Sequence, residues 1–233
     1  VSNKAFRRNE ITNVTKQKTD EAPRNARKYG GKDALARQQE RKAKLLAAGI
    51  KLIGREGFTA TSIDAICAEA GLTKRYFYES YESTNVLLLE AYQAVIIEFL
   101  VSIQQAAHPY LNDAKALVHA GLLQTFTFVA NNPDKARLIM IEAMSVRGQL
   151  GHLYGKGYGN FVDLLVAFTK PFLKGEGTSD VMLTVMAKAM VGSLIHLCQG
   201  WIATDFKQPT DELVQGMEII FAGMAKELGI TMY

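Results

Sequence analysis

The chain has 233 residues, 48% of them hydrophobic, with two cysteines and a formal net charge of +4; that is enough apolar material for a sizeable core and excludes an intrinsically disordered chain. The charge is unevenly placed: Val1 to Arg75 carries 17 Lys and Arg against 8 Asp and Glu, while the remainder carries 10 against 15, as expected of a phosphate-binding head on a body that need not touch nucleic acid. Cys67 and Cys198 show no CxxC or Cys-His spacing, so neither a disulfide framework nor zinc is expected, and no cofactor. No amino-terminal apolar segment of the signal type is present, and the apolar stretches are broken by charges such as Glu90 and Glu98, which points to a cytoplasmic protein without a membrane span.

Along the chain, residues 1–30 are polar, contain Pro23 and lack apolar periodicity, so a disordered basic extension is expected there. Arg24, Arg27, Lys28, Lys32, Arg37, Arg41, Lys42 and Lys44 then lead towards a first helix over Lys44–Ile53; such a run is either a solvated face or an arm that touches DNA backbone or minor groove. Residues 57–87 read as a helix-turn-helix. Thr61 with Asp64 reads as a capping box, Ile63, Ile66 and Ala70 follow at helical spacing, and Gly71 ends the helix. Thr73 caps the second helix, whose first turn carries Lys74, Arg75 and Tyr76 and which ends near Tyr81, before a fresh cap at Ser83 and Thr84.

Beyond Thr84 only helices are expected: 84–107, stopping before Pro109; 113–130, ending at Asn131-Asn132-Pro133; 133–146; an apolar segment ending near 174–177; 180–204; and 211–228. Gly151, Gly155, Gly157 and Gly159 weaken or interrupt the apolar segment; without a preceding strand or a following GK[ST] they are not a phosphate loop. The fold class is therefore all-α, divided into an extension (1–30), a helix-turn-helix domain (31–83) and a helical body (84–233). Between Val181 and Ile202 nearly every face is apolar, so this helix must be covered on more than one side, within a larger core or by a partner.

The segment Lys44–Ile53, Gly57-Phe58, Thr61-Ser62, Ala70-Gly71-Leu72-Thr73 and the pair Tyr78 and Tyr81 resembles the TetR family of bacterial transcriptional repressors. The resemblance implies that Tyr78 touches a phosphate and that Tyr81 packs beneath the helix. Thr84 stands where the family commonly has a Lys, and Arg75 stands where a small residue is frequent; an Arg there adds a bidentate donor for guanine or phosphate. Double-stranded DNA is the expected partner, met by Arg41, Lys44, Thr61, Ser62, Thr73, Lys74, Arg75, Tyr76 and Tyr78. The resemblance also implies a homodimer through residues 180–228, hence a palindromic operator.

For a small, apolar effector the expected contacts are Phe99, Gln124, Phe128, Met140, Met144, Tyr158, Met186 and His196, with Glu142, His152, Asn160 and Gln199 as further polar groups, since methionine adapts to variable shapes. The same Met and Phe residues also serve as ordinary core, and His196 as a structural histidine. The expected function is a repressor released from its operator by that effector; the alternative is an architectural, weakly sequence-specific DNA-binding protein. With no nucleophile elbow, HExxH or dinucleotide fingerprint in the sequence, an enzyme is not expected.

Overall fold

A computed structural model describes residues 26–143, 147–173 and 179–232, and among these every regular element is helical. The helices are α1 (Ala26–Glu56), α2 (Ile63–Ala70), α3 (Lys74–Ser80), α4 (Thr84–Ala107), α5 (Ala114–Asn131), α6 (Pro133–Arg137, continued by a π turn over Leu138–Glu142), α7 (Arg147–Thr169), α8 (Asp180–Ala203) and α9 (Thr210–Glu227). The chain divides into two units at residue 37, residues 1–37 and 38–233. Of the first, residues 26–37 are helical and the side chains of 33–37 are exposed; the rest of the expected disordered extension lies outside the described residues.

Helix α1 begins well before Lys44. Residues 33–44, rich in Ala, Arg, Gln, Glu and Lys, are strong helix formers, and Glu40 pairs with Lys44 one turn on at 2.8 Å. Since 33–40 are all exposed, no apolar period marks this stretch, and the periodicity that locates amphipathic helices passes over it.

The ends of α4, α5, α8 and α9 fall within a residue or two of their sequence signals. Ser83 caps α4, accepting from the Val86 amide at 3.3 Å; Asp113 does the same for α5 at the Ala116 amide, 3.0 Å, and Ser179 for α8. By contrast, α7 runs unbroken through Gly155, Gly157 and Gly159, so the expected interruption is absent. Gly157 is a contact position: a Cβ there would lie 2.2 Å from the Tyr92 hydroxyl. Thr84–Tyr110 and Asp180–Ala203 are long and apolar enough to cross a membrane by composition, with mean hydropathy 2.0 and 1.7, despite Glu90 and Glu98. Here they supply core residues, Leu87, Val95 and Phe99 from α4 and Val191, Cys198 and Trp201 from α8.

One contiguous apolar cluster joins Leu45 and Ile53 of α1, Ile66 of α2 and Phe77 of α3 to the body helices α4–α9. Burying apolar side chains at roughly 1.5–3 kcal/mol each, this shared cluster ties the helix-turn-helix to the rest of the unit. The tie is closest at Gly54, where a Cβ would sit 2.1 Å from the Asp134 carbonyl oxygen. Only glycine lets α1 and α6 approach so closely, and Arg55 Nε reinforces the contact by donating to Asp134 Oδ2 at 3.0 Å.

Candidate functional site

The helix-turn-helix is built by α2, a tight turn and α3. The α2 cap is Ser62, whose hydroxyl accepts from the Ala65 amide at 3.1 Å. Thr61 is not the cap: it is buried, and its hydroxyl donates to the Gly57 carbonyl at 2.8 Å. Gly71 leaves α2 in the left-handed region at φ 65°, a conformation glycine adopts without a Cβ penalty, and the Leu72 amide donates to the Cys67 carbonyl at 2.9 Å. Thr73 occupies the N-cap position of α3 with extended backbone but without a side-chain capping bond.

Helix α3 is held from beneath by Phe77 and Tyr81, which are 0% and 2% exposed with ring centroids 5.9 Å apart. The Tyr81 hydroxyl donates to Glu90 at 3.4 Å, and burial, with the Glu90 charge beside it, raises its pKa. The opposite face is open: Thr73, Lys74, Arg75 and Tyr78 are exposed, Tyr76 half-buried. Arg41 lies over the Tyr76 ring at 4.5 Å, a cation–π contact that brings α1 and α3 together. Two cations are tethered in place. Lys74 Nζ bonds Asp64 at 2.8 Å, which raises the lysine pKa and keeps it charged, and Arg75 Nε donates to Glu79 at 2.9 Å. The structure thus gathers Arg41, Ser62, Thr73, Lys74, Arg75, Tyr76 and Tyr78 around α2–α3; Lys44 is exposed on α1 and paired with Glu40.

A contact unforeseen from sequence joins this motif to the body. Glu142, last residue of the π turn, accepts from the Phe58 amide at 2.9 Å, in the turn that leads into α2. Two residues back, the Met140 carbonyl accepts from Gln199 Nε2 of α8 at 2.7 Å. A π turn redirects carbonyls from their regular ladder and is frequent at functional sites, but no local residue type announces one. Glu142 and Gln199, expected near an effector, act as struts between elements.

The expected effector residues divide between places. Phe99, Met140 and Tyr158 line one small cavity of about 20 Å³, and Phe128 packs against Phe99 in a tilted contact with centroids 5.1 Å apart. Met186 lines a different cavity, of about 60 Å³, with residues of α5, α7, α8 and α9. Gln124 is half-buried, while Asn160 and His196 are exposed; Met144 and the His152 side chain lie outside the described residues. His196, expected as an effector contact or a structural histidine, lies on a side of α8 that also carries exposed Ala189 and Gly200. Cys67 and Cys198 are buried free thiols, the latter pushed up to about 12 by burial, as fits small apolar core residues.

Residues 45–91 match the sequence profile of bacterial regulatory proteins of the tetR family. The uncharacterized HTH-type transcriptional regulator YerO of Bacillus subtilis is 38% identical over 52 residues, 22% of this chain and 18% of that protein. At the level of fold, the chain is similar to a TetR-like transcriptional regulator from Rhodococcus sp. RHA1 (TM-score 0.63, 20% identity, covering 79% of this chain and 96% of that one). It is also similar to the fatty acid degradation regulator FadR from Bacillus halodurans (0.64, 14%, 77% and 93%), and to FadR from Bacillus subtilis in complex with stearoyl-CoA (0.62, 16%, 76% and 96%). The tetR-family profile thus lies on the segment from the second half of α1 through the first turns of α4, and the chain shares the helical fold of these regulators along most of its length.

Proposed function

We propose that the protein is a cytoplasmic transcriptional repressor that binds a palindromic operator as a homodimer and is released by a small apolar effector. Residues 31–83 serve as its DNA-binding head and 84–233 as its effector-binding and dimerising body. The observation that carries this reading is α3 itself, anchored beneath by Phe77 and Tyr81 and presenting Thr73, Lys74, Arg75 and Tyr78 on its open face. That is the geometry of a recognition helix: its first turn enters the major groove while aromatic and basic groups meet phosphates. Dimerisation is supported by α8 and α9. Val181, Val185 and Ile219 are 75%, 55% and 69% exposed, and nothing lies within 4 Å of a Cβ built at Gly192, Gly200, Gly216 or Gly223. An apolar face studded with glycine suits close approach of a second copy.

In such a dimer the effector acts by preferring a conformation in which the two recognition helices are wrongly spaced. The stearoyl-CoA complex of the Bacillus subtilis regulator supports a lipid-like effector. The deciding experiment is selection of bound duplexes from a random pool by the purified protein at one near-physiological salt concentration. A two-fold symmetric motif is expected. Recovery of no motif, with binding that disappears as salt rises, would favour the architectural alternative, in which phosphate contacts do all the binding.

A further inference from the structure

We propose that Glu79 is a positioning residue for sequence recognition: by holding Arg75 from the side, it makes that guanidinium a fork that reads one guanine in each half of the operator. This rests on the regulator reading and adds to it a base identity and the pair of residues that selects it. Arg75 stands in the first turn of α3 on the open face, its side chain 83% exposed. Its Nε donates to Glu79 Oε1 at 2.9 Å, one turn further along the same helix.

The pair does little for the helix that carries it. Helix α3 runs only from Lys74 to Ser80, so Arg75 lies at its positive end and Glu79 at its negative end, and each charge opposes the helix dipole. An acid four residues after its base is also the less favourable order of the two. Exposed ion pairs contribute little to stability in any case. Holding the helix together is therefore a poor account of why these two charges face each other on the surface that is offered to DNA.

What the contact does fix is the partner that Arg75 can meet. With Nε engaged, the donors left are those of the two Nη groups, which lie in one plane and match the O6 and N7 acceptors on the major-groove edge of guanine. A phosphate is the poorer partner, because the Glu79 carboxylate beside the fork repels a second anion, whereas a base edge carries no net charge. Lys74 is tethered in a similar way, to Asp64 of α2 at 2.8 Å, but its ammonium is a rotatable point charge, so that tether sets no base pattern. Glu79 thus lowers the attraction of α3 for DNA of any sequence and raises the selectivity of one side chain, since a wrong base leaves the aimed donors unpaired.

The test uses the full chain and the duplex that the wild type selects from a random pool, with every single base-pair variant of it and one unrelated duplex, all at one salt concentration. Arg75→Ala marks the base pair that Arg75 reads, which should be G·C. Glu79→Ala should cut discrimination at that pair by about ten-fold, within the range of one bidentate contact, and at the same time tighten binding to the unrelated duplex. Glu79→Gln, which keeps an acceptor, should retain part of the discrimination. Glu82→Gln is the charge control: Glu82 is exposed in the turn after α3, and its neutralisation should tighten every duplex alike. A general loosening of the fold would weaken all duplexes, so a loss of discrimination joined to a gain in unspecific affinity separates positioning from support. An Arg75-dependent pair that is A·T, equal losses on all duplexes in Arg75→Ala, or discrimination that Glu79→Ala alters no more than Glu82→Gln would overturn the assignment. Recovery of no motif by the wild type would sink the regulator reading and this assignment with it; a motif without such a guanine would sink the assignment alone.

Discussion

Tyr78 and Tyr81, one turn apart at the end of α3, are the same side chain put to opposite uses. Tyr81 is 2% exposed and packs on Phe77, whereas Tyr78 is 59% exposed. Phe77→Ala should therefore destabilise the fold by about 3–5 kcal/mol, as for other buried aromatics, measured by urea denaturation, while Tyr78→Ala should leave stability nearly unchanged and weaken all duplexes alike. Arg75→Ala should instead flatten sequence preference by about 1–3 kcal/mol at one base pair; equal losses on every duplex would reassign Arg75 to the backbone. Cys198 offers a pH test. Burial pushes this thiol up to about 12 from the ordinary 9.0, so its contribution is complete below pH 9 and is lost as pH rises towards 12, by about 1.4 kcal/mol per unit. Denaturation of wild type and Cys198→Ala at increasing alkaline pH should show that slope in the first and its absence in the second. Residue chemistry was well read where one side chain has one neighbour type, as at Gly71. It failed at Thr61 and Ser62, adjacent hydroxyls that compete for one cap, where the choice is made by the Gly57 carbonyl within reach of Thr61.

Among the elements, the ends of α2 to α5, α8 and α9 were legible because caps, glycines and prolines act through local backbone geometry. The polar front of α1 was not, for lack of an apolar period, and neither was the continuity of α7, since packing against Tyr92 outweighs the local penalty of Gly157. The π turn is the element whose meaning lies wholly in tertiary contacts: Gln199 holds its Met140 carbonyl and its Glu142 holds the Phe58 amide. If this turn carries strain from α8 to the start of α2, Gln199→Leu should speed amide hydrogen exchange at residues 57–60, far along the chain from the substitution. Glu142→Ala should do so more strongly, and Glu142→Gln, which keeps an acceptor, less. Unchanged exchange in Gln199→Leu would confine the coupling to Glu142 itself.

Across the whole molecule, the all-helical class was readable from the succession of helix signals and the split between a basic front and an acidic remainder from the charge count, but the cavity that Met186 lines was not. Its wall comes from four helices spread over more than a hundred residues, and the expected effector residues Phe99, Met140 and Tyr158 leave only about 20 Å³ between them. On the proposed homodimer, the exposed faces of α8 and α9 predict that Val185→Glu yields a monomer in sedimentation experiments with helicity intact; a persistent dimer would move the interface elsewhere. Helix α8 turns Leu183 and Met190 towards the cavity that Met186 lines and Val181, Val185 and Gly200 outwards. On the proposed reading one rod is therefore weighed from both sides, and thermodynamic reciprocity follows. Whatever a bound effector does to the grip between copies, that grip must do to the effector, so the threshold at which such a switch responds would shift with the number of copies of the protein in the cell.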